Sequence, residues 1–132
     1  MRSNLKYKII DGIKCYSPNV AKDYSDYPEI GFDITDKNAK SSFWVSSRNR
    51  LFKNIVYANC LKKTKFLEIG CGIGDFIKEI NSNKTLEVTG SEIYINGLKI
   101  AKKNLPRIEF IQYDVSQGCI NKKYNKTSKK EL

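Results

Sequence analysis

Three glycines, Gly70, Gly72 and Gly74, alternate along one short stretch of the chain, and three acids stand in a regular relation to them. The run KFLEI (65–69) before the glycines has the apolar character of a buried strand, and DFIKEIN (75–81) after them has helical spacing. Strand, glycine turn and helix form the context that a nucleotide-binding loop requires. Glycine accepts positive φ in the turn and lets backbone approach a ligand closely. Glu68 lies inside the first strand, two residues before the turn, Glu92 follows Gly70 by 22 residues at the end of a second predicted strand, and Asp114 ends a third. A carboxylate placed like Glu92 can accept hydrogen bonds from both hydroxyls of a ribose. Asp114, or the backbone beside it, can reach an adenine amino group. Each acid taken singly also fits a solvated strand end. Three at successive strand ends mark the carboxyl edge, where open α/β sheets bind ligands.

The spacing discriminates among nucleotides. A phosphate-binding P-loop needs Gly-Lys-Ser/Thr after its glycines, and none follows here. The dinucleotide fingerprint G-x-G-x-x-G would put its third glycine at Asp75. A carboxylate there faces the helix N-terminus that would otherwise bind a pyrophosphate. S-adenosylmethionine has no phosphate and carries a sulfonium and an ammonium against one carboxylate, so an acidic pocket in a basic protein suits it.

Other chemistries are poorly supplied. The 132 residues include no histidine, which removes Ser–His–Asp and Cys–His nucleophile systems. The four cysteines, at 15, 60, 71 and 119, are too scattered for a zinc site, and no metal is expected. The net charge of +10 raises nucleic acid as a partner. The lysines are dispersed, however, and no basic run is interleaved with the aromatics that single-strand binders use, so a nucleic-acid partner is not expected. With no secretory signal at Met1–Gly12, no apolar run of membrane-spanning length and no paired cysteines, the composition reads as a cytoplasmic protein with reduced thiols.

The elements that must position the glycines and acids follow from periodicity. Residues 42–60 read as a helix, with Trp44, Leu51, Phe52, Ile55 and Val56 on a face expected to pack on a sheet. After KFLEI and DFIKEIN come a strand at 86–90, a helix at 93–104 punctuated by Pro106, and a strand at 108–113. This alternation predicts an α/β fold with a parallel sheet and helical crossovers. Residues 1–41 read as an N-terminal extension or lid, with a short strand between Tyr7 and Ile13 ending at Asp11-Gly12. The lysine-rich stretch 116–132 offers no strand or helix pattern and reads as a disordered tail.

FLEIGCGIGDF is similar to the first motif of class I S-adenosylmethionine-dependent methyltransferases, TGSEI to the second and QYDV to the third. FWVSSRNRLF resembles a segment that leads into the core of some members and helps to cover the cofactor. The resemblance spans 42–115 and implies S-adenosylmethionine as cofactor. It implies Glu68 near the methionine amino end, backbone contacts from Gly70, Cys71 and Gly72, and Gly74 keeping turn and helix close. Glu92 would hold the ribose, with Ile93 flanking the adenine and Asp114 and Val115 on the adenine side. It also implies methyl transfer to an acceptor that the residues do not identify, with a lean to a small molecule or glycan from the leading helix. No catalytic residue can be assigned.

The Rossmann-like fold of that family orders its strands 3-2-1-4-5-7-6, and the three strands read here make only the 3-2-1 half. The chain is therefore expected to be a truncated or split form, its first strand an apolar edge open to self-association or to a complementing chain. A non-catalytic cofactor-binding fragment completed by another chain, and an NAD-binding module, stand as alternatives.

Overall fold

The computed structural model describes residues 4–23, 43–124 and 126–129. Its centre is the predicted alternation: β3 (Thr64–Ile69), α3 (Asp75–Ile80), β4 (Leu86–Glu92), α4 (Ile95–Asn104) and β5 (Glu109–Gln112). β3 pairs parallel with β4 and β4 parallel with β5, which gives the expected 3-2-1 order. β4 can lie under α3 because position 90 is glycine. A Cβ there would come 2.7 Å from both Ile77 Cδ1 and the Phe110 ring, inside any real contact distance. Phe76, Ile77 and Ile80 of α3 and Leu98 and Ala101 of α4 are buried on this face against Phe66, Val88 and Phe110. Each fully buried large side chain contributes about 1.5–3 kcal/mol. Lys102 and Lys103 in the last turn of α4 complement its dipole.

The sheet extends beyond those three strands on both sides: with β1 (Lys8–Ile10), β2 (Ile13–Cys15) and β6 (Lys126–Lys129) its order is β1-β2-β5-β4-β3-β6. β1 (Lys8–Ile10) and β2 (Ile13–Cys15) form a hairpin, and β2 adds to β5 in parallel. The predicted turn at Asp11-Gly12 joins them with φ of 50° and 77°, the two positive values a tight hairpin turn requires. The N-terminal residues thus widen the sheet, and the single strand expected there is two. α1 (Pro18–Asp23) follows β2. The remainder of the expected lid, 24–41, lies outside the described residues, as does residue 42, where the helix was expected to start.

The tail departs further from expectation. β6 (Lys126–Lys129) runs parallel to β3, pairing with Phe66–Ile69, so the first strand of the core is not the open edge expected. The segment leading to β6 is tied to the body. The Tyr113 hydroxyl donates to the Gly118 carbonyl at 2.7 Å, the Leu5 amide donates to the Cys119 carbonyl at 2.7 Å, and Lys122 pairs with Glu109. KTSK (126–129) has no apolar alternation, so no strand was legible in it. A strand flanked by lysines is nonetheless typical of a sheet edge, where charge discourages further pairing.

The helix α2 (Phe43–Asn59) also corrects a reading. Trp44, Leu51 and Ile55, expected to pack on the sheet, are exposed. The helix instead turns Asn49, which is buried, with Val56 and Tyr57 toward the core, and sets Phe52 edge-on to Phe76 at 5.9 Å.

Candidate functional site

The carboxyl ends of β3, β4 and β5 gather the residues singled out in the sequence. The turn leaves β3 with Gly70 at φ 76°, Gly72 at φ 57° and Gly74 at φ 81°, all in the left-handed region that glycine tolerates. The amides of Gly70 and Cys71 donate to the Ser91 carbonyl at 2.8 and 2.9 Å, which stitches the turn to the end of β4. Gly74 packs beneath: a Cβ there would meet Phe110 at 3.3 Å and Ala101 at 3.4 Å. Gly72 faces the other way, and a Cβ there would meet nothing within 4 Å. The turn therefore presents bare backbone to open space at one glycine and packs tightly at another, which is the division of labour the motif predicts.

Glu92 is the acid most closely joined to the turn. Its Oε2 accepts from the Gly72 amide at 3.0 Å, and its Oε1 accepts from the Ile93 amide at 2.8 Å. Hydrogen bonds to an ionised acceptor are the stronger kind, so this carboxylate orders the turn at the carboxyl edge of the sheet. Oε1 also accepts from the Tyr94 amide at 3.5 Å, so it is the second lone pair of Oε2 that could accept a ribose hydroxyl without displacing an amide. Glu68 is fully buried beneath the turn, and the Ser91 hydroxyl donates to its backbone carbonyl at 3.2 Å.

Asp114 is buried at the end of β5 but is committed locally. Its carboxylate caps the following turn of 3₁₀ helix (Val115–Gln117), accepting from the Ser116 backbone amide at 2.9 Å, the Ser116 hydroxyl at 2.7 Å and the side-chain Nε2 of Gln117 at 3.4 Å. Burial pushes its pKa up, but those hydrogen bonds outweigh it and hold the carboxyl below its ordinary value of 3.8. The Asp114 amide donates to the Ser17 hydroxyl at 3.2 Å. Ile93, half-buried, and Val115, exposed, leave apolar surface on the two flanks expected of an adenine slot.

Four residues at this edge were not singled out as site residues in the sequence. Gln112 is fully buried and bridges elements: its Nε2 donates to the Ile93 carbonyl at 3.0 Å and its Oε1 accepts from the Ser17 amide at 3.0 Å. Ser17 so links the hairpin to the strand end. Arg48 and Asn49 of α2 both reach Oδ2 of Asp75, at 3.0 and 3.1 Å. The charge of Asp75 is balanced by this ion pair, so glycine spacing, more than charge, disfavours a dinucleotide at this turn. The sequence carried no signal for the pair, because the burial of Asn49 that demands a partner is visible only in the structure.

Among the described residues, no group of three or more Cys, Asp or Glu is arranged to hold a metal, and no helix is long and apolar enough to cross a membrane. All four cysteines are free thiols.

No protein-family model matches the sequence, and no curated protein matches it. The folded chain does resemble solved structures. An aminopentose methyltransferase of Micromonospora echinaspora, with S-adenosylmethionine bound, superposes with TM-score 0.59 at 15% identity, over 74% of this chain and 40% of its own. A sugar N-methyltransferase of Streptoalloteichus sp. gives TM-score 0.60 at 13% identity, over 76% and 39%. A TehB-like S-adenosylmethionine-dependent methyltransferase of Corynebacterium glutamicum gives 0.53 at 20% identity, over 60% and 43%. The chain thus has the Rossmann-like fold of class I methyltransferases across the 3-2-1 half of the sheet, and it spans about two-fifths of the length of these structures.

Proposed function

We propose that this chain is the cofactor-binding half of an S-adenosylmethionine-dependent methyltransferase. The observation that carries the reading is the union of open backbone at Gly72 with the carboxylate of Glu92, 3.0 Å away, at the carboxyl edge of a parallel sheet. When bound, the cofactor supplies a methyl group made electrophilic by its sulfonium. The residues of this chain would hold and orient it. Glu92 would accept from the ribose, and Gly70, Cys71 and Gly72 would offer backbone against the methionine part. Ile93 and Val115 would flank the adenine with Asp114 at its edge, Glu68 would support the turn from beneath, and Gly74 would keep turn and helix in contact.

The acceptor we propose is a small molecule or glycan. Two structures that resemble this chain are sugar methyltransferases by their own description, and the leading helix α2 points the same way. Holding an acceptor in line with the methyl carbon is the remaining requirement of the reaction. β6 lies along β3 in the position that a strand from a complementing chain would take, which disfavours completion at that edge.

Calorimetric titration of the purified chain with S-adenosylhomocysteine and with NADH tests the reading. Saturable binding of S-adenosylhomocysteine is expected. Preference for NADH would overturn the assignment and restore the dinucleotide alternative.

A further inference from the structure

We propose that the outer face of α2 is a docking surface for an anionic lipid membrane. The inference stands apart from the cofactor reading and starts from the stripe that does not pack on the sheet. Trp44, Leu51 and Ile55 recur at i, i+7 and i+11, which sets them in one line along the helix. They are 73%, 58% and 52% exposed, and Phe43 at the start of the helix and Leu61 just past its end are more exposed still. Single exposed apolar residues are ordinary, but a continuous line of them marks an interaction site. The inner face is already occupied, since Asn49 is buried and Val56 and Tyr57 turn to the core.

Charge selects the occupant. No Asp or Glu occurs from Phe43 to Leu67, while Arg48, Arg50, Lys53, Lys62, Lys63 and Lys65 do. Asp75, which reaches α2 from the next helix, is paired with Arg48. Arg50, Lys62 and Lys63 are exposed. A second copy of the chain would set this basic surface against itself, in a protein with 24 Lys and Arg against 14 Asp and Glu, and like charge opposes that contact. An anionic partner is matched instead. The shape favours a bilayer over an acidic protein: the stripe is the convex outside of one helix, with side chains standing out from it, rather than a groove that receives another helix. Trp and Phe settle at the membrane–water interface, leucine and isoleucine enter the acyl boundary, and the bases extend to the headgroups. The bases of α2 and the absence, among the described residues, of a helix apolar enough to span place it in the plane of the surface. Arg48 ties α2 to Asp75, beside Gly74, so docking would hold the glycine turn close to the bilayer.

Trp44 is the sole tryptophan of the 132 residues, so its emission reports on the stripe directly. The intact chain is titrated with vesicles of phosphatidylcholine alone and of an equal mixture with phosphatidylglycerol, followed by fluorescence and by flotation. A blue shift of Trp44 and flotation with the anionic vesicles are expected, both weakened by salt. Leu51→Ser with Ile55→Ser should weaken that binding about 10-fold or more, and because both side chains are exposed its melting temperature should match the parent. Lys62→Gln with Lys63→Gln, which leaves the stripe intact, should weaken it about 10-fold on anionic vesicles alone. No binding to anionic vesicles would overturn the proposal and leave the stripe to an acidic protein. Binding undiminished in the Leu51 and Ile55 variant would also overturn it, since charge without the stripe would then suffice. So would a concentration-dependent dimer, seen by sedimentation velocity and abolished by the same variant, because the stripe would then serve a second copy.

Discussion

Replacing Glu92 by Gln isolates the contribution of charge at the centre of the site. The side chain keeps its length, but one oxygen becomes an NH2 group. In the native chain both oxygens receive backbone amides, Gly72 on one and Ile93 with Tyr94 on the other. Either orientation of the new amide therefore sets an NH2 group against one of these N–H groups. One charge-assisted hydrogen bond is lost and a buried amide is left facing a donor, a combination that costs about 2 kcal/mol. For a chain of this size that corresponds to a fall of about 6–12 °C in melting temperature. Circular dichroism melts at neutral pH measure it. Affinity for S-adenosylhomocysteine should fall about 10-fold or more in the same variant, because the turn is less ordered and the ribose loses an ionised acceptor. A Glu92→Gln chain that melts within about 2 °C of the parent would refute the view that this carboxylate orders the glycine turn.

Gly90→Ala should destabilise the chain by about 1–3 kcal/mol, read as a lower denaturation midpoint, because the new methyl falls 2.7 Å from Ile77 and Phe110. Asp114→Asn should flatten the acid limb of stability against pH. The folded-state pKa is lowered, so the native carboxylate favours folding above its unfolded value, and that contribution is lost as pH falls through the carboxylate range. Melts from about pH 6 to pH 3 compare the two proteins, and an unchanged acid limb in the variant would count against the cap. A chain ended after Gly118 should lose β6 and the Lys122–Glu109 tie, bare the edge of β3, and show increased dye binding and aggregation.

The parts of the fold that were legible in the sequence are those whose local pattern and tertiary role agree. KFLEI and IEFIQY are apolar because β3 and β5 are buried, and the glycines sit where the backbone takes positive φ. The site was legible for the same reason: Glu92 and Asp114 end strands at the edge where the glycine turn emerges. What escaped is decided by contacts distant in the chain. KTSK carries no strand signal of its own and is held by the vacant hydrogen-bonding edge of β3. The orientation of α2 was misread because its most apolar stripe is the exposed one, while Asn49 and Arg48 turn toward Asp75, 26 and 27 residues away. Hydrophobic periodicity locates a helix but ranks its faces by oil alone, and here a polar triad sets the docking.

The acids of the site share a property that bears on how it would work. Each already holds something in place: Glu92 the glycine turn, Asp114 the 3₁₀ turn after β5, and Asp75 the guanidinium of α2. A site whose charged groups were free in solution would have to order them as a ligand arrived, and that ordering subtracts from affinity. Here the ordering is completed on folding. Glu92 illustrates the economy, since a second lone pair of Oε2 could accept a hydroxyl after the amides of Gly72, Ile93 and Tyr94 are satisfied. The same coupling makes the site sensitive to the fold. Loss of the Ser17 and Gln112 contacts between the hairpin and β5 would shift Ile93 and Asp114 together, because Gln112 holds the Ile93 carbonyl and Ser17 holds the Asp114 amide. The N-terminal hairpin, which contributes no residue to the motifs, would therefore help to set the width of the proposed adenine side.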